Sequence, residues 1–556
     1  MIGSSRVILG LYHGYNANAC LLRDGTPMVV VEKERHSRVK HAYGPAPECV
    51  QDCLQHAGAT IDDVDCVAFC GASDLDTDYA YDCPQPRDEG SSFPANSGTR
   101  LLATDCFRET SIRLLDRVLP AVLVEHHVAH GACAFYTSGF RESLVLAFDG
   151  LGDFGRSCLI LRGERTRLDC LQSVPLRIGL AFRKAGTHLY RMHTGKGFDA
   201  AGKLMALAAF GEPRYLAAAR LFMDHVDRST GNREWLLPGL GNLRGGSLSD
   251  LDSGPARDFA ASLQAVASAA TLELLRRHVL PGDNLCLSGG CALNVIITRD
   301  LLRELPLAAL YVPPCPHDGG LGLGAGLYLH NHVEGRQGGI EDLDPYLGLS
   351  DLDDLRANPT PPAWPGEPPR VVLNEVGTDD QVEVAVRLLA QGEAIGWCHG
   401  RPELGPRALG NRSLLADPSP SWMSEHLNRR VKHREWFRPY GLSLREENAA
   451  RLFGAAACSP YMMRAASLVD PWRNALPAVV HVDGTTRFHT VSQRANPLFW
   501  RLLAAFEQAT GVPGLLNTSY NLPGEPIAET LGDCLRVFRD STVAHLFVGN
   551  RMLSKC

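Results

Sequence analysis

The residues of this chain best suited to metal chemistry are clustered histidines near the start of one helical segment. His126 and His130 are four residues apart, so on a helix they share one face and can hold one ion. Asp149 ends an apolar strand at a glycine-rich turn, from which its carboxylate could reach the same ion. Two imidazoles with carboxylate oxygens suit iron, manganese or zinc. His127 is three residues from His130, so spacing leaves the choice of pair open, and such clusters also occur as plain polar surface or core.

Two glycine-rich turns further along are candidates for the rest of this site. Asp318 precedes a Gly/Ala-rich helix predicted over residues 321–328 and is a candidate fourth ligand. Gly289 and Gly290 follow a buried strand and lead through Asn294 into a helix. Backbone amides at such a turn can approach a phosphate or an adenosine closely. The alternative is an ordinary strand-to-helix turn, which is frequent in any α/β protein.

A second chemically distinctive stretch is rich in arginine and glycine. Between Arg401 and Arg438 there are eight Lys or Arg residues against four Asp or Glu, a local charge of +4 in a chain of −7. Guanidinium groups beside exposed glycine amides are suited to phosphate or carboxylate groups. These arginines alternate with Pro, Trp and Phe, which is unlike a solvated basic surface. The pattern therefore favours an anion site.

Composition bounds the protein class. The chain has 556 residues, 45% hydrophobic and 21% charged, which indicates a globular protein of two or more domains. The acidic balance argues against general nucleic-acid binding. No apolar run is long enough to span a membrane, and no signal-peptide pattern precedes the first strand at Val7. The 17 cysteines are scattered without a CxxC framework, so we expect reduced thiols and a cytoplasmic location.

The order of the predicted elements indicates a duplicated α/β domain followed by a second one. Residues 7–34 and 144–170 both run strand, glycine turn, returning strand, as at the head of each lobe in the actin/sugar-kinase architecture. A loop or lid is predicted over 74–104, and helices over 202–211 and 255–280. We predict domains at 1–355 and 371–556 joined by a Pro-rich linker at 356–370. In the second domain, Thr378 and Gln381 predict a capping box, and Asn496 caps a helix that ends at Gly511.

Together these segments resemble the NodU/CmcH-type O-carbamoyltransferases of natural-product tailoring, over nearly the whole chain. The two long arginine-bearing motifs are the most specific of them, and the double-glycine motif is the least. The motifs that carry the resemblance are His126-His-x-x-His130, Gly202-Lys-Leu-Met, Ser288-Gly-Gly-x-Ala-Leu-Asn294, Gly405-Pro-Arg-Ala-Leu-Gly-Asn-Arg-Ser413, Val431-Lys-x-Arg-Glu-Trp-Phe-Arg-Pro439, Ser459-Pro-Tyr-Met462, His481-x-Asp-Gly-Thr-x-Arg487 and Asn517-Thr-Ser-x-Asn521.

The resemblance implies two sites with different tasks. The C-terminal domain, similar to threonylcarbamoyl-adenylate synthases, would make carbamoyl-adenylate from carbamoyl phosphate and ATP with Mg²⁺. The N-terminal ribonuclease-H-like duplicated domain would pass the carbamoyl group to a hydroxyl, using one divalent metal, with Fe²⁺ the first choice and Mn²⁺ or Zn²⁺ the alternatives. The positions that match are Arg407, Lys432 and Arg438 for catalysis, Ser459, Arg487, Asn517, Ser519, Lys203, Gly289, Gly290 and Asn294 for cofactor binding, and His126, His130, Asp149 and Asp318 for the metal.

One departure from the family pattern affects the general base. Relatives commonly carry His-Asp after the first strand, and the matching positions here are Tyr15 and Asn16. Neither is a ready base at neutral pH, so His13 is the substitute we predict; the alternative is that the metal and the substrate phosphate suffice. The implied acceptor is a small alcohol, such as a polyketide or an aminoglycoside, without nucleic acid or membrane, and with a homodimer as one option. The alternatives are threonylcarbamoylation of tRNA and a non-catalytic ATP-binding chaperone or regulator.

Overall fold

The computed structural model describes residues 5–71, 101–192, 199–226, 235–338, 340, 342–352, 371–375, 377–454 and 457–555. The chain divides into two compact units, Met1–Leu343 and Asp344–Cys556, which we call the N-terminal and the C-terminal unit. The loop predicted at 74–104 lies mostly outside the described residues, and the linker predicted at 356–370 lies entirely outside them. The predicted assignment of one task to each domain stays a prediction.

The N-terminal unit begins with a mixed sheet in the order β3-β2-β1-β4-β6-β5. Strand β1 pairs antiparallel with β2 and parallel with β4, and β4 pairs parallel with β6. The strands are almost entirely buried where they carry runs of Val, Leu, Ile and Cys, as expected for a sheet covered on both faces. They are β1 (Val7–Tyr12), β2 (Asn18–Arg23), β3 (Thr26–Glu32), β4 (Cys66–Cys70), β5 (Phe107–Leu114) and β6 (Arg117–Val124).

A second sheet repeats this plan in the order β13-β12-β7-β8-β9. Strands β7, β8 and β9 form an antiparallel meander, and β12 and β13 continue it in parallel, as β4 and β6 do in the first sheet. The duplicated order confirms the predicted two-lobed actin/sugar-kinase-like class. The strands are β7 (Glu142–Phe148), β8 (Cys158–Glu164), β9 (Arg167–Ser173), β12 (Asn284–Ser288) and β13 (Ala309–Tyr311), and a separate hairpin pairs β10 (Trp235–Leu237) with β11 (Gly241–Leu243).

Two helices join the sheets of this unit. Helix α9 packs on β1, β2 and β4, helix α3 packs on β7 and β12, and the two helices pack on each other. A Cβ at Gly324 would lie 2.0 Å from the carbonyl oxygen of Ala129, so only glycine allows this approach. The helices of the unit are α1 (Lys33–Ser37), α2 (Pro47–His56), α3 (His126–Tyr136), α4 (Ile178–Lys184), α5 (Ala200–Ala208), α6 (Leu216–His225), α7 (Gly254–Leu275), α8 (Val295–Glu304) and α9 (Leu321–Tyr328).

Two predicted helices differ in their bounds. The helix predicted at 202–211 is α5, which runs from Ala200 to Ala208. The helix predicted to reach residue 280 is α7, which ends at Leu275. The helix ends there in a tight turn, in which the amides of Arg277 and His278 donate to the carbonyls three residues back, those of Leu274 and Leu275.

The C-terminal unit is built on one mixed sheet, which we call the C-terminal sheet. Its order among the described strands is β14-β22-β21-β15-β16-β20-β17-β19-β18. The strands are β14 (Val371–Glu375), β15 (Ile395–Cys398), β16 (Arg412–Ala416), β17 (Gly441–Arg445), β18 (Arg464–Ser467), β19 (Thr485–Val491), β20 (Gly514–Ser519), β21 (His545–Val548) and β22 (Arg551–Lys555). The helices are α10 (Thr378–Ala390), α11 (Met423–His426), α12 (Ala449–Phe453), α13 (Trp472–Ala475), α14 (Pro497–Thr510) and α15 (Leu531–Asp540).

Helix caps in this unit test two predictions. Asn496 accepts a hydrogen bond from the amide of Phe499 at the start of α14, and Gly511 ends that helix at a φ of 77°, as predicted. The capping box at Thr378 is wrong, because Gly377 is the N-cap of α10. Gln381 is buried, and its side-chain amide donates to the carbonyl of Gly549. Tertiary packing therefore uses a side chain that the sequence pattern assigned to the helix end.

The cysteines that the structure describes are free thiols, as expected, and Cys49, Cys53, Cys66 and Cys70 are buried. Within the described residues, no helix combines the length and the apolar composition that crossing a membrane requires. The predicted cytoplasmic location stays a prediction.

Candidate functional site

Helix α3 places two histidines on one buried face. Glu125 is its N-cap and accepts a hydrogen bond at 2.8 Å from the amide of Val128, which fixes where the helix begins. His126 and His130 follow one turn apart, and their ring centroids are 4.8 Å apart. His127 turns instead toward Glu125, with 3.6 Å between its Nδ1 and the Oε1 of that residue. The pair that sequence spacing left open is therefore His126 with His130.

Two carboxylates face this histidine pair, each with one oxygen. Asp149 follows β7 and places Oδ2 3.4 Å from His126 Nε2 and 3.6 Å from His130 Nε2. Asp318 places Oδ1 3.8 Å and 3.4 Å from the same two nitrogens. The four ligand atoms lie within 4.8 Å of one another. The structure thus brings together all four predicted metal ligands, which we call the His/Asp cluster.

The second oxygen of each carboxylate is held by a protein donor. Asp149 Oδ1 accepts from the amide of Gly290 at 3.1 Å, and Asp318 Oδ2 accepts from the hydroxyl of Tyr12 at 3.2 Å. The ring of Tyr12 also meets that of His126 edge to face, with centroids 5.9 Å apart. Each carboxylate is therefore oriented to offer a single oxygen to the cluster. Sequence reasoning missed Tyr12, although its place at the end of a strand shared with parallel neighbours is where functional side chains gather.

The spacing and charge of the cluster fit a divalent cation. Ligand atoms about 2.1 Å from one ion at a tetrahedral angle lie roughly 3.4 Å apart, close to the observed separations between nitrogen and oxygen. Burial opposes charge on His126, yet the hydrogen bond to Asp149 and the charge of Asp318 raise its pKa to about 10. The same histidines hold the pKa of Asp149 well below its usual range against the effect of burial. The cluster therefore demands positive charge, which a metal ion would supply.

The predicted base His13 lies in an unfavourable environment for that role. Its ring is buried edge to face against Phe69, with centroids 5.1 Å apart. Burial, with the charge of Lys33, lowers its pKa to about 3, so it is a weak base. The side-chain amide of Asn16 donates to Glu34, and its Oδ1 lies 3.0 Å from His41 Nδ1. The role of His13 stays a prediction.

The residues predicted to bind a nucleotide in this unit have identifiable structural tasks. Gly289 has a φ of 89°, and the amide of Gly290 holds Asp149. Asn294 caps α8 by accepting from the amides of Ile296 and Ile297. Lys203 is buried, and its Nζ lies 3.3 Å from Asp199 Oδ2. Their contact with a cofactor stays a prediction.

In the C-terminal unit, strand register gathers several predicted residues on one face of the sheet. Gly441 pairs with Arg487 on one side and with Asn517 on the other, and Ser413 pairs with Ser519. Paired residues point to the same face of a sheet, and residues two apart on one strand also share a face. The register therefore sets Arg487, Asn517 and Ser519 side by side, although they are up to 32 residues apart in sequence.

Four arginines converge beside this face, and we call them the arginine cluster. Burial lowers the pKa of Arg487 well below its usual value, and so do the charges of Arg407, Arg434 and Arg438. Burial and the charge of Arg438 likewise lower the pKa of Arg407 to about 10. Arg438 has Glu435 at 3.7 Å, whereas the side chain of Arg487 has no hydrogen bond or ion pair with any residue that the structure describes. A bound anion would satisfy this uncompensated positive charge.

Lys432 and a turn after β20 complete the cationic region. Lys432 Nζ donates to the carbonyl of Ser519 at 2.8 Å and to Asn521 Oδ1 at 2.6 Å. The hydroxyl of Ser519 donates to the same Oδ1 at 2.7 Å. Ser459 is buried, and its hydroxyl has no hydrogen-bond partner among the described residues. Asn521 and Arg434 lie within the quoted motifs, but sequence reasoning did not single them out.

The loop that carries Arg407 is shaped by a buried carboxylate. Glu403 Oε1 accepts from the backbone amides of Leu409, Asn411 and Arg412 at 2.7, 2.8 and 3.1 Å. The guanidinium of Arg412 donates in turn to the carbonyls of His399, Gly400, Asn411 and Glu529. Arg412 is thus structural, while Arg407, five residues earlier, is presented to the cluster.

Comparisons with known proteins agree on one family. The family model described as "Carbamoyltransferase N-terminus" matches residues 7–327, and "Carbamoyltransferase C-terminus" matches residues 386–555. Nodulation protein NolNO of Sinorhizobium fredii is 33% identical over 556 residues, covering 97% of this chain and 79% of that protein. Nodulation protein NolO of Bradyrhizobium diazoefficiens is 35% identical over 448 residues, covering 78% of this chain and 79% of that protein.

One of the solved structures that match this chain is only remotely similar to it. Component A of the (R)-2-hydroxyglutaryl-CoA dehydratase of Acidaminococcus fermentans matches with a TM-score of 0.33 and 12% identity, covering 58% of this chain and 98% of that chain. A TM-score this low does not establish a shared fold. The duplicated strand order of the N-terminal unit is the firmer ground for the fold class.

Proposed function

The chain belongs to the carbamoyltransferase family, and we propose that it is an ATP-dependent O-carbamoyltransferase acting on a small-molecule alcohol. In this proposal the C-terminal unit makes carbamoyl-adenylate from carbamoyl phosphate and ATP. The N-terminal unit then transfers the carbamoyl group to the acceptor. The acidic net charge of −7 supports a small acceptor over tRNA.

The observation that carries the first step is the uncompensated charge of the arginine cluster. Arg487 lacks a counter-charge among the described residues, while three further guanidinium groups lower its pKa. Carbamoyl phosphate and the triphosphate of ATP are the kind of multiply charged ligands that would relieve this repulsion. Arginines fixed before the ligand arrives stabilise charge that develops during reaction, because they need no reorganisation.

The first step must balance in atoms. Carbamoyl phosphate, ATP and water give carbamoyl-adenylate, pyrophosphate and inorganic phosphate. Water replaces the phosphate group on the carbamoyl carbon and releases inorganic phosphate, and an oxygen of the resulting carbamate forms a bond to the α-phosphorus as the bond to pyrophosphate breaks. In this proposal Arg407, Arg438 and Arg487 bind the phosphate groups, and the hydrogen bond from Lys432 to the carbonyl of Ser519 holds the turn after β20.

The second step is assigned to the His/Asp cluster. His126, His130, Asp149 and Asp318 would hold one divalent metal, Fe²⁺ first and Mn²⁺ or Zn²⁺ as alternatives. When bound, such an ion supplies Lewis acidity toward a carbonyl or phosphate oxygen. Carbamoyl-adenylate and an alcohol give the carbamate ester and AMP, and the hydroxyl proton is released. Tyr12 and Gly290 orient the two carboxylates throughout.

The test separates the two steps by substitution. We expect Arg487→Ala to reduce carbamoyl-phosphate-dependent exchange of pyrophosphate into ATP by about 100-fold or more, because preorganised charge is lost. Metal content, measured by plasma mass spectrometry, should stay at the wild-type value. His130→Ala should show the reverse, losing metal and carbamoyl transfer while exchange continues.

Arg429→Ala is the matched control, since Arg429 is exposed and pairs with Glu425 four residues earlier. It should leave both readouts unchanged. Undiminished exchange in Arg487→Ala would contradict the assignment of the first step. Unchanged metal content in His130→Ala would contradict the second.

A further inference from the structure

A buried asparagine makes four side-chain hydrogen bonds to the segment that carries two members of the arginine cluster. Asn428 lies in the helical segment that follows α11. Its Oδ1 accepts from Arg434 Nε and from the hydroxyl of Tyr440, both at 2.7 Å. Its Nδ2 donates to the carbonyls of Trp436 and Arg438, both at 3.3 Å. All four hydrogen-bonding positions of this amide are therefore used.

The partners of Asn428 fix the orientation of its amide. Backbone carbonyls only accept and the Nε of an arginine only donates, so exchanging the oxygen and the nitrogen would break these bonds. The main chain of Asn428 takes part as well, because its carbonyl accepts from the amide of Arg434 at 3.0 Å. One residue thus holds both the main chain and the guanidinium of Arg434.

Arg434 has further contacts within the same segment. Its guanidinium carbon lies 4.2 Å from the centre of the Tyr440 ring, and its Nη2 donates to the carbonyl of Pro439 at 3.3 Å. Burial lowers the pKa of Arg434 to about 10, and the charge of Arg438 contributes, whereas Tyr440 acts in the opposite direction. The two arginines are therefore close enough to repel each other.

Like charges at short range separate unless the protein holds them. Asn428 contacts Arg434 through its guanidinium and Arg438 through its carbonyl, so it restrains both members of the pair. Charged groups that are fixed in advance bind and stabilise a charged ligand without reorganisation. We propose that Asn428 is a positioning residue of the arginine cluster, which fixes Arg434 and Arg438 relative to each other before a phosphate ligand binds. This inference rests on the proposed function, because it takes the arginine cluster as the site of the phosphate groups.

The test measures the dissociation constant of pyrophosphate, a product of the proposed first step, by titration calorimetry on the full chain. Asn428→Leu nearly keeps the volume of the side chain and removes its four hydrogen bonds without adding charge. We expect pyrophosphate to bind about tenfold more weakly, because hydrogen bonds that restrain charged groups are lost. Tyr440→Phe removes one of the four bonds and keeps the ring beside Arg434. We expect it to weaken binding about threefold, and it keeps the proposal falsifiable if Asn428→Leu fails to fold.

Double-mutant cycles distinguish positioning from a general loss of stability. Asn428→Leu is combined with Arg434→Ala and, separately, with Arg438→Ala. Because Asn428 acts through these two arginines, its further effect in each background should fall from about tenfold to about threefold or less. A merely structural role would leave the effect of Asn428→Leu the same in every background. If Asn428→Leu fails to fold, Tyr440→Phe takes its place in the cycles.

Asn448→Leu is the matched control. Asn448 is also buried in the C-terminal unit, and its Nδ2 donates to Glu507 Oε2 at 2.7 Å and to the carbonyl of Pro513 at 3.4 Å. It therefore loses comparable hydrogen bonds away from the arginine cluster. The affinity for pyrophosphate should stay at the wild-type value.

The outcomes separate this inference from the proposed function. Wild-type affinity in Tyr440→Phe and in a folded Asn428→Leu protein, or additive effects in both cycles, overturns the inference while carbamoyl-phosphate-dependent exchange still supports the function. Pyrophosphate binding without such exchange overturns the proposed reaction and leaves Asn428 as a positioning residue of an anion site. Absence of pyrophosphate binding in the wild-type protein overturns both.

Discussion

At the scale of single residues, the two oxygens of each carboxylate in the His/Asp cluster have different partners. Asp149 and Asp318 each give one oxygen to a protein donor and turn the other toward the histidines. A carboxylate held this way favours a single bond to a metal, because its second oxygen is already engaged. Four such ligands would leave room for a substrate only at an ion that accepts more than four ligands, such as Fe²⁺ or Mn²⁺.

The residue-scale prediction concerns Tyr12. We expect Tyr12→Phe to weaken metal binding by about 10- to 100-fold, because partners that orient ligands contribute to that extent. The aromatic packing against His126 is kept, so only the hydrogen bond to Asp318 is removed. Metal affinity is measured by competition with a chelator.

Tyr190→Phe is the matched control for this change. Its hydroxyl is also buried and donates at 2.6 Å, but to the carbonyl of Ala256 and not to the cluster. We expect wild-type metal affinity in this variant. Equal affinities of Tyr12→Phe and the wild-type protein would mean that Asp318 is oriented by the backbone alone.

At the scale of elements, glycines allow the close approach between the strand ends that carry the site residues. A Cβ at Gly289 would lie 2.1 Å from the carbonyl oxygen of Phe148, the residue before Asp149. The close approach of the turn after β12 to the end of β7 therefore depends on the missing side chain. The adjacent Gly290 uses the same approach to hold Asp149 through its amide.

The element-scale prediction is that Gly289→Ala abolishes stoichiometric metal binding. The added methyl must displace the Phe148 carbonyl, and Asp149 moves with it. Metal content of the purified protein is the measurement, with circular dichroism to confirm folding.

Gly282→Ala separates this clash from backbone strain. Gly282 has a φ of 87°, close to the 89° of Gly289, but a Cβ there would meet open space. Both substitutions carry a strain of about 1 kcal/mol from left-handed backbone. We expect full metal content in Gly282→Ala, and a similar loss in both variants would assign the effect to strain.

At the scale of the whole molecule, the charged clusters of the two units favour ligands of opposite charge. The His/Asp cluster of the N-terminal unit raises the pKa of His126, while the arginine cluster of the C-terminal unit lowers the pKa of Arg487. One therefore attracts a cation and the other an anion. The net charge of −7 conceals this division, since it sums over both units.

The whole-molecule prediction is a loss of stability in mild acid. Burial lowers the pKa of His489 to about 3, and burial with Lys33 does the same for His13. Between the ordinary value of about 6.5 and about 3, the unfolded chain binds protons that the folded chain refuses. The stability present above pH 6.5 is therefore lost as the pH falls, by up to ~1.4 kcal/mol per pH unit for each histidine.

Urea unfolding at pH 7.5 and 5.5 measures this slope. Six of the seven tryptophans follow residue 344, so their fluorescence reports mainly on the C-terminal unit that holds His489. His489→Asn should reduce the pH dependence of that transition. His426→Asn, at a residue exposed to water, should leave it unchanged. An unaltered slope in His489→Asn would mean that the ring is accessible to protons in the folded state.

The sequence by itself determined the duplicated strand plan, the family and the identity of the charged residues, because these depend on local pattern and residue type. Alternation of apolar strands and glycine turns, and histidines one helical turn apart, are local signals that packing preserves. The ends of the elements were predicted less well. The capping box predicted at Thr378 is wrong, and Gln381 is buried and donates to the carbonyl of Gly549.

Only the tertiary structure decided which of these residues act together. Tyr12 meets Asp318 across 306 residues of sequence, and Asn517 meets Ser443 and His489 through strand register. Sequence spacing did not distinguish His127 from His126 and His130, but in the structure its ring lies against Glu125. The physical reason is that hydrogen bonds and burial act over a few ångströms in space, and chain folding, not spacing along the chain, sets those distances.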